Sequence, residues 1–185
     1  MFSMLKWLTF IAGTAVLAYF SRASFRVPKS HGFYRFFAWE LILVLIASSL
    51  DRWEGAVHTP EQIASEVLMN ISLILVILGY LSLFLFGEHN AERNDAPLLL
   101  IEKTTMLVTS GLYRYIRHPI YSSLIFLDFG LFFREISWLN GCIALVACMF
   151  LLFTSIAEEN ENLDYFGSQY RQYMERTKLF IPFFL

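Results

Sequence analysis

Apolar runs near the length of a membrane crossing recur along the chain. A hydrocarbon core of about 30 Å takes roughly 20 mostly apolar residues in a helix. Hydrophobic residues make up 57% of the chain and charged residues only 16%, which is rare in soluble domains. We therefore predict an all-α, polytopic membrane protein with about five transmembrane helices in a single domain, 1–185. The runs are 4–20, 33–50, 61–86, 119–133 and 137–157.

Two segments need separate treatment. The fourth run would form a helix of roughly 22 Å, so it either crosses a locally thin region or enters as a re-entrant hairpin. After the fifth run, residues 158–176 mix acidic, aromatic and basic residues, and apolar or aromatic side chains recur at steps of three and four. This spacing predicts a C-terminal amphipathic helix lying along the membrane interface.

Lysine and arginine counts set the expected orientation, because cytoplasmic loops carry the excess. With five crossings and the N-terminus outside, only Lys6, Arg52 and Arg134 remain outside. This model places the C-terminus and any site on that face in the cytoplasm. The first run has its heavier positive flank after it, unlike a secretory signal, and is expected to stay as an anchor.

Other features exclude several function classes. A net charge of −2 argues against a nucleic-acid partner. The four histidines are scattered without ligand spacing, so no metal site is expected. Cys142 and Cys148 lie inside an apolar run and are expected to pack against neighbouring helices.

Glu40 interrupts the second apolar run. A charged group there is costly in lipid, so Glu40 should hydrogen-bond to a neighbouring helix or face a cavity.

The connection 87–117 is long and mixes charged residues with apolar patches. Connections of this length between helices are usually functional or disordered, and apolar patches argue against disorder. We divide the domain accordingly into a three-helix membrane scaffold, 1–86, and a part expected to carry the site, 87–185.

The segment 107–121, LVTSGLYRYIRHPIY, combines charge, aromatic rings and a forced helix start. Pro119 suits the first turn of a helix and pushes His118 out of helical geometry. A hairpin of the fourth and fifth runs would bring this segment to Glu158 and Glu159. A helix start and an acidic pair together suit a ligand that has both a carboxylate and a positive centre.

The pattern of this half of the chain resembles the isoprenylcysteine carboxyl methyltransferase and phospholipid methyltransferase superfamily of membrane enzymes. The resemblance rests on Leu107-Val108-x-x-Gly111-x-Tyr113-x-x-x-Arg117-His118-Pro119-x-Tyr121, on Glu158-Glu159, on Phe166-Gly167-x-x-Tyr170-x-x-Tyr173 and on Ile181-Pro182. It covers roughly the C-terminal half, whereas the first three runs match only as generic membrane helices.

The resemblance implies a methyltransferase that uses S-adenosylmethionine at the cytoplasmic face and acts on a lipophilic or lipid substrate. It also implies cofactor contacts at Leu107, Val108, Tyr113, His118, Pro119, Tyr121 and Glu158. We assign catalytic roles to Arg117, Glu158 and Glu159. In carboxyl methyltransferases of this family, an arginine one turn before the first glutamate is thought to hold the acceptor carboxylate; here that position is Thr154.

Three hypotheses stay open at this stage. The first is a membrane methyltransferase that methylates either a carboxylate oxygen or the nitrogen of an aminolipid. The second is a non-catalytic membrane protein that binds the cofactor. The third is a transporter, in which Glu40, Asn70 and Asp128 would line a common water-filled face.

Overall fold

The computed structural model describes residues 4–50, 59–87 and 105–182. Over these ranges the chain forms α-helices and two short 3₁₀ turns, which confirms the predicted all-α class. Predicted features at 51–58, 88–104 and 183–185, including most of the long connection, lie outside the described residues. The helices are α1 (Met4–Ser21), α2 (His31–Ser49), α3 (Pro60–Phe86), α4 (Pro119–Arg134), α5 (Trp138–Phe166) and α6 (Ser168–Arg176).

Three of the helix starts, those of α2, α3 and α5, are specified locally by capping side chains. Ser30 accepts a hydrogen bond from the Phe33 amide at the start of α2. At the start of α3, Thr59 and Gln62 form a reciprocal capping box, and Pro60 occupies the first turn. Such caps satisfy amide groups that a helix cannot bond internally, so the chain turns sharply into each membrane helix.

Consecutive helices alternate in direction. At one end of the bundle, Lys6 Nζ donates to the Ser48 carbonyl (2.9 Å), which joins the start of α1 to the end of α2. At the same end, Arg134 lies 3.5 Å from Glu66, which joins the end of α4 to the start of α3. The opposite end, here called the site end, therefore gathers the starts of α2 and α4 and the ends of α1, α3 and α5.

Four helices, α1, α2, α3 and α5, are long and apolar enough to cross a membrane. α4 has 16 residues, or about 24 Å, and does not reach that length, so five full crossings are not confirmed. α4 instead packs closely against α3. A Cβ added at Gly130 would lie 2.7 Å from the Met69 side chain, and small residues at such positions allow membrane helices to approach.

Polar side chains inside the bundle have different partners. Glu40 accepts a hydrogen bond from Thr14 of α1 (2.9 Å), which confirms the predicted contact with a neighbouring helix. Asp128 is fully buried and accepts from Cys148 at 3.3 Å, whereas Asn70 is exposed and donates to the Glu66 carbonyl. The three side chains have different partners, and the complete burial of Asp128 argues against the common water-filled face that the transporter hypothesis requires.

The C-terminal helix differs from the prediction. Helix α5 continues through the acidic stretch to Phe166, and Gly167, with φ of +59°, breaks the helix before α6 begins. The predicted single helix over 158–176 is therefore two. Tyr170 and Tyr173 of α6 are buried, with 2% and 8% of their surface exposed, so the aromatic face of α6 covers protein instead of lipid.

Candidate functional site

The motif before α4 has the predicted helix start. His118 is the N-cap of α4 and has non-helical backbone angles (φ −124°, ψ 62°), and Pro119 occupies the first turn. The His118 ring is buried, with 4% of the residue exposed. It stacks on Tyr121, one turn into the helix, with ring centres 5.4 Å apart. Both rings are thereby held at the N-terminal end of α4.

The end of the described chain is joined to this motif through the backbone. The Arg117 amide donates to the Lys178 carbonyl (2.8 Å), and the His118 amide donates to Leu179 (3.1 Å). In return the Lys178 amide donates to Tyr115 (3.1 Å), which makes a short parallel bridge between Ile116 and Lys178. The segment after α6 thus fixes the geometry of the segment before α4.

Arg117 links three parts of the site. Its Nε donates to Glu159 of α5 at 2.5 Å, and only 11% and 12% of these two side chains are exposed. Its Nη1 donates to the carbonyls of Thr177 (2.6 Å) and Met174 (3.3 Å) at the end of α6. A guanidinium suits this arrangement because its donors form a rigid fork. Arg117 therefore anchors α6 to α5.

Glu158 has a different environment from its neighbour. The Nδ1 of His118 lies 3.8 Å from Glu158, beyond hydrogen-bond range. Within the described ranges its carboxylate accepts no hydrogen bond, and 22% of the side chain is exposed to the cavity. The predicted approach of the basic motif to the acidic pair is confirmed. Glu159 is committed to Arg117, whereas Glu158 is available to a ligand.

A cavity opens where α3, α4, α5 and α6 meet. Its empty volume is about 730 Å³ when the part open to solvent is included. Apolar and aromatic side chains dominate its wall, and Glu158 is its carboxylate. The lining is Leu83, Leu107, Val108, Tyr113, Arg117, His118, Ile120, Tyr121, Glu158, Asn162, Phe166, Tyr170 and Tyr173.

Most of the residues singled out from the sequence line this cavity. Those that do not are Pro119, which starts α4, and Glu159, which holds Arg117. Sequence reasoning did not assign six lining residues. Phe166, Tyr170 and Tyr173 had been noted only for their regular spacing along the sequence. Asn162 lies one helical turn after Glu158. Leu83 and Ile120 cannot be distinguished by sequence from residues that face lipid.

Two tyrosines of α6 close one side of the cavity. The Tyr173 hydroxyl donates to the Tyr113 carbonyl (2.6 Å), and Tyr170 is hydrogen-bonded to Asn162. Burial, followed by the charges of Glu158 and Glu159, raises the pKa of Tyr170. Burial also raises the pKa of Tyr173. Both phenols therefore stay protonated at neutral pH and remain hydrogen-bond donors.

A third acidic residue of α5 ties α2 to the same end. Glu161 accepts hydrogen bonds from the His31 ring and from the His31 amide, the latter at 3.0 Å. His31 is fully buried. Nothing in the sequence indicated this pair, since its members are 130 positions apart. Glu161 therefore fixes α2 against α5 just outside the cavity.

Two further expectations concern ligand groups. In the described part of the chain, no group of three or more histidine, cysteine, aspartate or glutamate side chains is placed to hold a metal ion. Thr154 is fully buried, and its hydroxyl donates to the Phe150 carbonyl of its own helix (2.7 Å). The position where an acceptor-binding arginine was expected therefore carries a neutral side chain that is already hydrogen-bonded.

Comparisons with known proteins bear on the same region. The isoprenylcysteine carboxyl methyltransferase (ICMT) family matches residues 71–165, just over half of the chain. A protein-S-isoprenylcysteine O-methyltransferase from Tribolium castaneum is 34% identical over 122 residues. That alignment covers 63% of this chain and 42% of the relative, so the chain spans less than half the length of that protein. No solved structure matches.

Proposed function

Because the chain belongs to the isoprenylcysteine carboxyl methyltransferase family, we propose that it transfers a methyl group from S-adenosylmethionine to a lipophilic acceptor. The observation that carries the proposal is the convergence of Glu158, the His118 ring and several aromatic side chains on one cavity at the site end of the bundle. The family match includes α4 and almost all of α5, which supply most of this wall.

The residues present fit the chemistry of this cofactor. Its ammonium and sulfonium groups need negative or aromatic partners, and Glu158 is a carboxylate without a hydrogen bond in the described protein. Tyr113, Tyr121 and Phe166 line the same cavity, and aromatic faces attract cations. When bound, S-adenosylmethionine supplies an electrophilic methyl group on sulfur.

In this proposal the protein contributes to methyl transfer mainly by positioning the cofactor and the acceptor. Methyl transfer to an acceptor that is already nucleophilic needs little acid–base help, so alignment and exclusion of water dominate. In this proposal Glu158 contacts the cofactor. Arg117 and Glu159 act as positioning residues, because their mutual contact holds the tyrosines of α6 against the cavity.

We further propose that the site end faces the cytoplasm. Basic residues near the helix ends support this orientation: Arg22, Arg26 and Lys29 flank the junction of α1 and α2, whereas Lys6 and Arg134 lie at the other end. Cytoplasmic loops carry such an excess. In this arrangement α1 to α3 act largely as scaffold, although Leu83 of α3 lines the cavity.

The cofactor site is tested by calorimetric titration of the purified, detergent-solubilised protein with S-adenosylmethionine. Glu158→Gln should weaken binding by about ten- to a hundredfold, since a hydrogen bond to a charged group is worth roughly 1.5–3 kcal/mol. Asp164→Asn is the matched control, because it removes one exposed carboxylate from the same helix away from the cavity. Equal affinities for Glu158→Gln and the unaltered protein would contradict the assignment.

The acceptor has two candidate classes. A carboxylate acceptor follows from the family and requires a cation, and Arg117 is the arginine in the cavity wall. An amine acceptor, as in an aminolipid, is favoured because Arg117 is already bonded to Glu159 and because Thr154 is neutral and hydrogen-bonded within its own helix.

The bonds that change differ between the two acceptors. For a carboxylate, the carbon–sulfur bond of the cofactor breaks as a carbon–oxygen bond forms. For an amine, a carbon–nitrogen bond forms and a proton is released.

Mass spectrometry separates these outcomes. Membranes containing the protein are supplied with methyl-labelled cofactor, and the labelled products are identified after lipid extraction. Label lost on mild alkaline hydrolysis marks an ester and a carboxylate acceptor, whereas alkali-stable label on an aminolipid marks nitrogen. Tight cofactor binding without any labelled product would instead support a non-catalytic binding protein.

A further inference from the structure

A second cleft lies behind the cofactor cavity, on the outer side of α6. The segment 107–114 forms one wall and α6 forms the other. Leu107 and Tyr173 line both the cleft and the cavity, so they separate the two spaces. We refer to this space as the outer cleft. Neither the family match nor the proposed methyl transfer assigns it a role.

The charge of the outer cleft is one-sided. Arg114 and Arg176 enter it from opposite walls, accompanied by the amides of Gln169 and Gln172, and the described residues that line it include no carboxylate. In the described part of the protein neither guanidinium forms an ion pair or hydrogen bond, in contrast to Arg117. Both arginines are exposed, and two positive groups lining one space raise the local concentration of anions.

The chemistry of the lining specifies the kind of anion. Guanidinium groups bind phosphate oxygens through paired hydrogen bonds, and side-chain amides add neutral donors. Gln169, Gln172 and Arg176 recur on one face of α6, and Arg114 faces them from the other wall. This arrangement suits a phosphate group that inserts between the walls.

The position of the cleft relative to the bilayer indicates where that phosphate comes from. The Leu112 amide donates to the Ser82 hydroxyl (3.2 Å), which ties the 3₁₀ turn Gly111–Arg114 to the last turns of α3. Phe84 and Phe86 in those turns are 74% and 52% exposed, which is expected of apolar side chains that face lipid near the end of a membrane helix. Arg114 therefore lies where α3 leaves the hydrocarbon, at the level of the lipid headgroups.

We propose that the outer cleft binds the phosphate of an anionic phospholipid from the surrounding leaflet, between Arg114 and Arg176. The lipid is a structural ligand and not a methyl acceptor. Because Tyr173 forms the shared wall, an occupied cleft also stabilises the cofactor cavity. The site is independent of the proposed reaction, since its residues would bind phosphate whether or not the protein transfers methyl groups.

The test uses the 185-residue chain in an uncharged detergent. It is titrated with short-chain phosphatidylglycerol or short-chain phosphatidylcholine, and binding is followed by native mass spectrometry. We expect phosphatidylglycerol to bind more tightly. Arg114→Gln and Arg176→Gln should each weaken its binding by about fivefold, the contribution of one basic residue near an anionic lipid. Arg171→Gln, which removes an exposed arginine of α6 outside the cleft, should change it less than twofold.

Each alternative result overturns the proposal. Equal affinity for the two lipids would show that the cleft does not select an anion. An Arg171→Gln effect as large as the others would indicate general charge attraction. Displacement of the lipid by an equal concentration of inorganic phosphate would show that the acyl part contributes nothing. If a glutamine variant does not fold, the lipid preference of the unaltered protein and the phosphate competition still decide.

Discussion

The contact between Arg117 and Glu159 makes the sharpest prediction about how the site is held together. Both side chains are nearly buried, and the pair joins α5 to the segment before α4. Arg117→Met leaves the Glu159 carboxylate nearly buried, with Nε2 of His118 3.6 Å away as a remaining polar neighbour. Removing one partner of a buried pair typically costs about 3–5 kcal/mol. Because 11% and 12% of the two side chains remain exposed, we expect the lower end of that range, about 3 kcal/mol.

This cost is measurable as a thermal shift in detergent. For a chain of this size each kcal/mol lowers Tm by about 2–4 °C, so Arg117→Met should lose about 6–12 °C. The double variant Arg117→Met/Glu159→Gln should recover part of that loss, because no unpaired charge remains. The substitution Arg117→Met also removes the hydrogen bonds from Arg117 to Thr177 and Met174, and it does so equally in the Glu159 and the Glu159→Gln backgrounds. Their loss therefore cancels in the double-mutant cycle.

The cycle should give a coupling energy of about 2 kcal/mol or more. Arg171→Met is the control, since it removes an exposed arginine of α6 that does not line the outer cleft and should change the free energy of unfolding by about 0.5 kcal/mol or less. A coupling energy below about 0.5 kcal/mol, the usual error of additivity, would refute the view that the Arg117–Glu159 contact stabilises the fold.

Two further substitutions test the other supports of α6. Gly167→Ala should destabilise the protein by about 1–3 kcal/mol through backbone strain alone, because φ is +59° and no atom lies within 4 Å of the added Cβ; an unchanged Tm would show that the chain turns here without that strain. Tyr173→Phe removes the hydrogen bond to the part-buried Tyr113 carbonyl and should cost about 0.5–1.5 kcal/mol. Equal unfolding free energies for phenylalanine and tyrosine at this position would contradict the importance of that bond.

The membrane helices were largely predictable because their physical cause is local. The apolar runs 4–20, 33–50 and 61–86 match α1, α2 and α3 to within about two residues. The fifth run was predicted to end at 157, yet α5 continues to Phe166. The hydropathy of the sequence indicates where the apolar part of a helix ends. The helix itself continues, because its backbone hydrogen bonds extend through the acidic residues until Gly167 interrupts them.

The site was predictable where one local signal sufficed. The His118–Pro119 helix start and the hairpin that brings it to Glu158 both follow from chain order. The burial of Tyr170 and Tyr173 did not follow, because an amphipathic pattern has the same form whether its apolar face covers lipid or protein. The His31–Glu161 pair was also missed, since partners 130 positions apart leave no periodic signal.

The bridge between Ile116 and Lys178 also has a consequence for biosynthesis. Membrane helices insert in the order in which they are translated, so α1 to α5 can be in place before residue 178 leaves the ribosome. The backbone partners of Arg117 and His118 are Lys178 and Leu179. A nascent chain that has already assembled its bundle therefore still lacks the segment that shapes its cavity. Competence to bind a ligand therefore requires Lys178 and Leu179, which are synthesised after the whole of α1 to α5.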